Sequence, residues 1–495
     1  MEDNVALPSK NGSISAVNPS VGTDRYSGPD FKVSGIFSSH MVLQRDKPIR
    51  VFGFSSEPGS VVTGNLDGDT VSATVDQCNK WTLFFPARPY CRRPVCLKIA
   101  DDRGNTAAFE DILIGDVWII GGQSNAEYHL GSCVFANPGL VYDENDPFRL
   151  FTQTQRYVCD HSEVFNAPQD DITNSDWQWK RPDETTSKGF SAMGWFFAKS
   201  MIKQTDVPQG LIMCCAGGAF LRELMPADLA HALGYFTGEN TPVAGYYNSL
   251  IHPVIGLSFR GQLFFQGESE GCYDHFSSVY ARDLALLVYD ERQRFGFEFP
   301  FYNVQLSNYP KDGPSFFPYT DVVRVQQYEA AKYIRNYTLT VDMDLGSHED
   351  TRDWAHSPYK AELGRRLAAL VLAREYKIGT EEAASSPMPA EAVLTEDGKK
   401  VIVRFKNVNG GLTTAGGAKQ VHGFSFGRRE NRAYTSAMII SDNEVSVDVP
   451  DAADVSLIGY AFSVSLSEEN ADLRGGTALP VPSFLIPVRK SGIDQ

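Results

Sequence analysis

The sequence predicts an α/β protein: a parallel sheet packed by helices on both faces, with a β-domain before it and another after it. Three observations predict this. Between residues 111 and 388, short apolar runs ("VWIIGG", "GLIMCC", "GQLFFQG", "FYNVQL") alternate with amphipathic stretches such as "MGWFFAKSMIKQ", "VYARDLALLVYDERQRFG" and "YKAELGRRLAALVLAREY". Apolar strands separated by helices are buried on both faces, the mark of a parallel sheet. Before and after this stretch the helical period disappears and only short β runs remain.

Each segment follows from its own chemistry. Residues 1–30, rich in Ser, Gly, Asn and Pro, read as a flexible arm. Residues 31–110 read as a small β-sandwich-like domain: "HMVLQ", "PIRVFGF", "SVVTGNL", "TVSATV" and "KWTLFFP" are separated by turn residues, among them Pro58-Gly59 and Asp67-Gly68. Residues 111–388 form the central α/β domain. Residues 389–495 return to β runs, "AVLTED", "KVIVRFKNV", "EVSVDV" and "PSFLIP", and read as a C-terminal β-domain.

At 495 residues the chain is too long for one core. A formal charge of −16 supplies no surface that would neutralise phosphates, so nucleic acid is not an expected partner. No apolar run reaches the ~18 residues that span a bilayer. "MEDNVALPSK" has two acids directly after Met1 and no apolar core of a signal peptide. A cytoplasmic location is therefore favoured, or a periplasmic or secreted one if a presequence has been removed. The eight cysteines form no CxxC pair; Cys214 and Cys215 read as buried thiols in a strand, and Cys91–Cys96 as the one conceivable bridge.

Chemistry gathers where the central strands end. In open α/β sheets, sites form at the carboxyl edge. The strand that closes in Gly121-Gly122 delivers Gln123, Ser124 and Asn125 to that edge. A serine needs a base and oxyanion donors to act as a nucleophile. Gly217-Gly218, after "GLIMCC", offers a bare backbone N–H, and Gln266, followed by Gly267 and Glu268, offers a side-chain amide. "RDWAHSPYK" supplies Asp353 and His356, with Ser357 expected as a helix N-cap and Pro358 in the first turn. Asp353 is close enough in sequence to hold the imidazole Nδ1–H.

Two other readings compete. His348 and His356 with Asp342, Asp344, Glu349, Asp350 and Asp353 resemble a divalent metal set, but the acids are scattered along a loop without HExxH spacing, so no metal is expected. "GFSFG" at 423–427 fits the G-x-S-x-G elbow, yet β-like residues follow it where a helix is required; Ser425 is expected to be structural.

"GDVWIIGGQSN" is similar to the nucleophile block of the sialate O-acetylesterases, a family of SGNH hydrolases. "SSHMVLQRDKPIRVFGFSSEPG", "YYNSLIHPVIGLSFRGQLFFQGES", "HSPYKAELGRRLA" and "GYAFSVSLSEENADL…LPVPSF" resemble further segments of that family, so the likeness runs through residues 33–485. The resemblance implies an SGNH-hydrolase-like three-layer α/β/α fold and a serine esterase that needs no cofactor. It implies Ser124 as nucleophile and His356 as general base. It implies an oxyanion hole of the Ser124 N–H, an N–H of Gly217 or Gly218, and the Gln266 side chain, with Gln123 and Asn125 in support.

Asp353 would orient His356. The family often carries this acid two residues before the histidine, where Trp354 stands here, and Glu268 is the alternative. The implied partner is an O-acetylated sialic acid, whose carboxylate Arg222 or Arg352 would meet. Acetylated xylan or another acetylated polysaccharide is the rival substrate, and a silent carbohydrate-binding protein the rival class. The walls depart from the family: Ala126 replaces a methionine, "GGAFLREL" lacks the usual threonine and tryptophan, and Glu270 stands where an asparagine is common.

Overall fold

The computed structural model describes residues 30–137, 139–154, 167–172, 174–236, 243–309, 317–346, 355–466 and 471–490. The arm expected over 1–30 lies outside them except for Asp30. So do Cys159, His348, Glu349, Asp350, Arg352, Asp353 and Trp354. The chain divides into two compact units, residues 1–266 with 284–302 and 334–336, and residues 267–283 with 303–333 and 337–495.

The first unit is organised by one strand, Thr106–Gly122, of 17 residues. Its first six residues alternate in exposure and pair antiparallel with Cys91–Asp101; from Ile112 onward every residue is buried. The change follows the sequence: "TAAFED" alternates, whereas "ILIGDVWIIGG" is apolar or small at every position but Asp116. The strand passes position 110 without a break. Its buried half pairs in parallel with Val42–Gln44, Gln209–Cys215 and Gly261–Phe265. Gln209–Cys215 pairs in parallel with Phe148–Thr154, and the edge strand Trp179–Lys180 lies antiparallel to the latter. The sheet is therefore mixed, with a parallel centre.

Both faces of that centre are covered. Trp118 and Ile120 face the helix Ala192–Ile202: the Phe197 ring stands edge-on to Trp118 at 5.3 Å, and a β-carbon on Gly194 would lie 2.1 Å from Ile120 Cδ1. On the opposite face, a β-carbon on Gly121 would lie 2.9 Å from Gln262 Nε2. Gln262 in turn hydrogen-bonds Glu291 of the helix Tyr280–Phe295. Asp116, fully buried mid-strand, takes Nε2 of Gln44 at 2.7 Å and Nε and Nη2 of Arg45 at 3.1 and 2.9 Å. An isolated buried carboxylate would be costly, so these donors are a condition of its being there.

N-terminal strands complete this unit. Phe31–Val33, Ile49–Ser55 and Lys80–Phe85 form a three-stranded antiparallel sheet. Val61–Leu66 and Asp69–Thr74 form a hairpin whose two loop residues, Asp67 and Gly68, take φ of 47° and 101°. That is the turn Asp-Gly favours. Cys91 and Cys96 are both free thiols within one strand, so the conceivable bridge does not form: five residues of extended chain set them roughly 16 Å apart, beyond the reach of a disulfide.

The second unit carries most of the C-terminal β structure. A six-stranded sheet includes Met388–Leu394, Lys400–Lys406 and Glu444–Asp448, and a four-stranded sheet includes Phe424–Phe426 and Leu457–Tyr460. Their shared core holds Val403, Phe405, Phe424, Tyr460 and Phe484. Ser425 is fully buried in the strand Phe424–Phe426, paired on both sides, which rules out an exposed nucleophile elbow there.

Candidate active site

Strand Thr106–Gly122 ends against Gly261–Phe265. Gly122 has φ +125°, and a β-carbon on it would lie 2.0 Å from the Phe265 carbonyl oxygen. Only glycine permits this approach. The chain then turns at once: the Gln123 N–H donates to the Phe265 carbonyl at 3.0 Å, and the Gln123 carbonyl accepts from Ala126 and Glu127. Gln123 thus caps a one-turn helix, Ser124–Glu127, and Ser124 is its first residue. Half-buried Ser124 makes no hydrogen bond to any described residue through its hydroxyl or its N–H. Free N–H groups are what a helix start leaves over.

The neighbouring strand ends similarly. Ala219 N–H donates to the Ala216 carbonyl at 3.1 Å, closing a turn with Gly217 and Gly218 at its centre; Gly218 takes φ +76°. A positive φ at the third position makes this a type II turn, which favours glycine there. Ala216 N–H donates to Gly122 at 3.1 Å, tying the turn to the serine strand. A β-carbon on Gly217 would stand 3.7 Å from Ser124 Cβ. The Gly217 N–H has no partner among the described residues, whereas Gly218 does make a further interaction.

Gln266 follows the third strand and is fully buried. Its Nε2 donates to the Ala219 carbonyl at 3.0 Å and to Gln123 Oε1 at 3.2 Å. Ser124, Gln123, Asn125, Gly217, Gly218 and Gln266 are therefore brought together within the first unit. Arg222 follows in the one-turn helix Leu221–Leu224. It is buried, with its guanidinium over the Phe220 ring at 3.9 Å, so it is not a surface charge. Glu223 beside it accepts the Phe220 N–H at 2.8 Å, and burial raises its carboxyl above the usual range.

Two neighbours bear on which group can react. Cys215, in register with Gly122, is fully buried, and burial pushes its thiol well up, so it stays protonated and unreactive. Sequence reasoning missed Glu127. Its Oε2 would lie 3.4 Å from a Gly217 β-carbon and its Oε1 lies 4.0 Å from His129 Nε2. Burial lowers the His129 imidazole below its ordinary value. An acid at the fourth position of a helix started by Ser124 was the available signal.

The second unit holds the remaining residues. Glu268 is buried and His356 half-buried, each with interactions of its own. The helix after His356 begins at Lys360, with Tyr359 at the N-cap. This corrects the expectation for Ser357: its hydroxyl donates to the Leu345 carbonyl and only distantly meets Tyr359 N–H, at 3.4 Å. Pro358 consequently precedes the helix. Of the acids weighed as metal ligands, Asp344 is held by both Nη atoms of Arg366 at 2.7 Å, and Asp342 accepts from Ser307. Asp353 and Arg352 lie outside the described residues.

A carbohydrate-esterase family model, described as sialic acid-specific acetylesterase, matches residues 114–373, more than half of the chain. The chain belongs to this family. Sialate O-acetylesterases from Pongo abelii and Homo sapiens are each 25% identical over 391 residues, covering 70% of this chain and 72% of theirs. A carbohydrate acetylesterase from Xanthomonas citri is 26% identical in the aligned structure, with a TM-score of 0.77 over 92% of this chain and 99% of that one. The fold is that of an SGNH-type carbohydrate esterase with added C-terminal β-sheets. Family membership makes the protein a carboxylic ester hydrolase of acetylated carbohydrate.

Proposed function

We propose that this esterase removes O-acetyl groups from sialic acids through an acetyl-serine intermediate on Ser124. The observation that supports the reading is the edge just described: a serine hydroxyl and two N–H groups, of Ser124 and Gly217, without partners among the described residues and on adjacent turns. His356 takes the serine proton as Oγ attacks the acetyl carbonyl. The Ser124 and Gly217 N–H groups, with the Gln266 amide, stabilise the oxyanion. His356 returns the proton to the departing sugar oxygen, and a water deprotonated by His356 releases acetate. Asp353 or Glu268 orients the imidazole.

The family description and the names of the mammalian relatives support sialic acid as the substrate. Arg222, a buried cation in the one-turn helix that follows the Gly217 turn, suits its carboxylate. A second reading, an acetylated polysaccharide such as xylan, is favoured by the equal likeness to a bacterial carbohydrate acetylesterase over nearly its whole length. Acetate release from O-acetylated sialic acid, acetylated xylan and 4-nitrophenyl acetate separates the two. Ser124→Ala should lower kcat on every accepted ester by roughly 10⁴–10⁶. Retained activity in that variant would remove Ser124 from the mechanism, and activity on xylan alone would remove sialic acid.

A further inference from the structure

A cavity of about 610 Å³ opens in the first unit between the strands Ile49–Ser55 and Lys80–Phe85 and the end of the helix Tyr280–Phe295. None of Ser124, Gly217 or Gln266 lines it. Ile255 and Gly256, which do, lead into the amino end of strand Gly261–Phe265, whereas Gln266 leaves its carboxyl end. The cavity and the serine therefore belong to opposite edges of the sheet.

The lining is charged, but its charges are largely satisfied from within. Lys80 pairs with Asp170 at 2.9 Å, and Arg294 with Asp228 at 2.7 Å and Asp290 at 2.6 Å. Asp76 accepts the N–H groups of Cys78 and Lys80 at 2.8 and 2.9 Å. Arg50 differs. It has no ion pair among the described residues, and its one hydrogen bond, to the Phe295 carbonyl, is long at 3.4 Å. Tyr247 is only 1% exposed, yet its hydroxyl has no hydrogen-bond partner among the described residues. Aromatic surface completes the wall: Phe84 is 56% exposed and carries the Arg50 guanidinium 5.6 Å above its ring, with Phe52 beside it.

Three cations and four carboxylates leave the wall close to neutral. An anion would gain Arg50 but face four aspartates, and a cation would face Arg50. A neutral, hydroxyl-rich ligand suits all of them: its hydroxyls donate to carboxylates and accept from Arg50 and Tyr247, while its C–H face lies on Phe84. We propose that this cavity is a second saccharide-binding site, remote from Ser124, for a neutral stretch of about two to three sugar units of the acetylated glycan. The proposal rests on membership of a carbohydrate-esterase family and not on the role of Ser124.

Calorimetric titration of the full-length Ser124→Ala protein with xylotetraose, cellotetraose, mannotetraose and sialyllactose tests it. At least one neutral tetrasaccharide should bind saturably and more tightly than sialyllactose. Phe84→Ala and Arg50→Ala should each weaken that binding at least about tenfold, and in the protein with Ser124 intact neither should change hydrolysis of 4-nitrophenyl acetate. Absence of binding by all three neutral sugars, binding indifferent to both substitutions, or preference for sialyllactose would overturn the proposal. A failure of the serine assignment shows separately, as esterase activity that survives Ser124→Ala.

Discussion

The side-chain amide of Gln266 donates to Oε1 of Gln123 at 3.2 Å, joining the residue after one strand to the residue before Ser124. Its other hydrogen goes to the Ala219 carbonyl at 3.0 Å. A developing oxyanion next to Ser124 would therefore have to take the place of Gln123 Oε1, the longer of the two contacts. The Ala219 bond would meanwhile keep the amide fixed. In the proposed mechanism, Gln123 Oε1 keeps the place of the oxyanion and holds the donor ready before substrate arrives.

This relation separates two substitutions. Gln266→Ala removes the donor and should lower kcat by about 10²–10³ with little change in KM. Gln123→Ala leaves the donor anchored on Ala219 and should cost no more than about tenfold. Steady-state kinetics on 4-nitrophenyl acetate distinguish them. Equal losses would mean that the amide serves the loop and not the oxyanion.

The glycines of the site should behave differently from one another. An alanine at Gly122 must hold φ +125° and place its methyl 2.0 Å from the Phe265 oxygen, so Gly122→Ala should lose about 2–4 kcal/mol of stability. An alanine at Gly217 meets only ordinary contacts, 3.4 Å to Glu127 Oε2 and 3.7 Å to Ser124 Cβ, and keeps its N–H. It should unfold at the wild-type temperature while kcat/KM falls about 10–100-fold, because the methyl occupies space beside Ser124, the proposed nucleophile. Thermal melts run beside activity assays check both; a destabilised Gly217→Ala would assign that glycine to the fold.

Asp116, the acid of "GDVW", lies eight positions before Ser124 and is structural. Its carboxylate is fully buried and receives Gln44 and Arg45. Asp116→Ala removes the buried acceptor shared by Gln44 and Arg45, while Arg45 keeps its contact with Asp46 at 2.7 Å; it should cost about 1–3 kcal/mol, while folded enzyme keeps its kcat. Denaturant titration with active-site-normalised kinetics is the measure; a kcat loss in fully folded protein would give Asp116 a part in the chemistry.

Much of this arrangement was legible in the sequence because burial writes itself locally. The continuous apolar run "VWIIGG" and the glycines that end it mark both the central strand and the turn at Ser124. The Gln123–Gln266 bond was not legible, since it joins residues 143 positions apart through strand order. Glu127 was overlooked because an acid in a helix's first turn has an ordinary explanation. Ser357 was misread because Ser-Pro is a common helix opening, and the Leu345 carbonyl, unseen in sequence, captured its hydroxyl instead. The Arg50–Tyr247 cavity draws on segments some two hundred residues apart and has no local signature.

Glu291 should give the protein a pH-dependent stability unrelated to catalysis. Burial, reinforced by Asp290, pushes its carboxyl from 4.5 up to about 8, against the opposing pull of Arg292 and Gln262. The folded state thus keeps a proton that the unfolded chain releases above pH 4.5. Stability attributable to this group is therefore greatest below the unfolded value, falls as pH rises through the window, and levels off above the folded value. The slope is at most about 1.4 kcal/mol per pH unit. Glu291→Gln keeps a neutral hydrogen-bonding amide and removes the titration. Relative to wild type, the variant should gain stability steadily from pH 4.5 to pH 8, read as the difference between denaturant midpoints across the series. A difference that stays flat with pH would mean that Glu291 is ionised in the folded protein, its charge carried by Arg292 and Gln262.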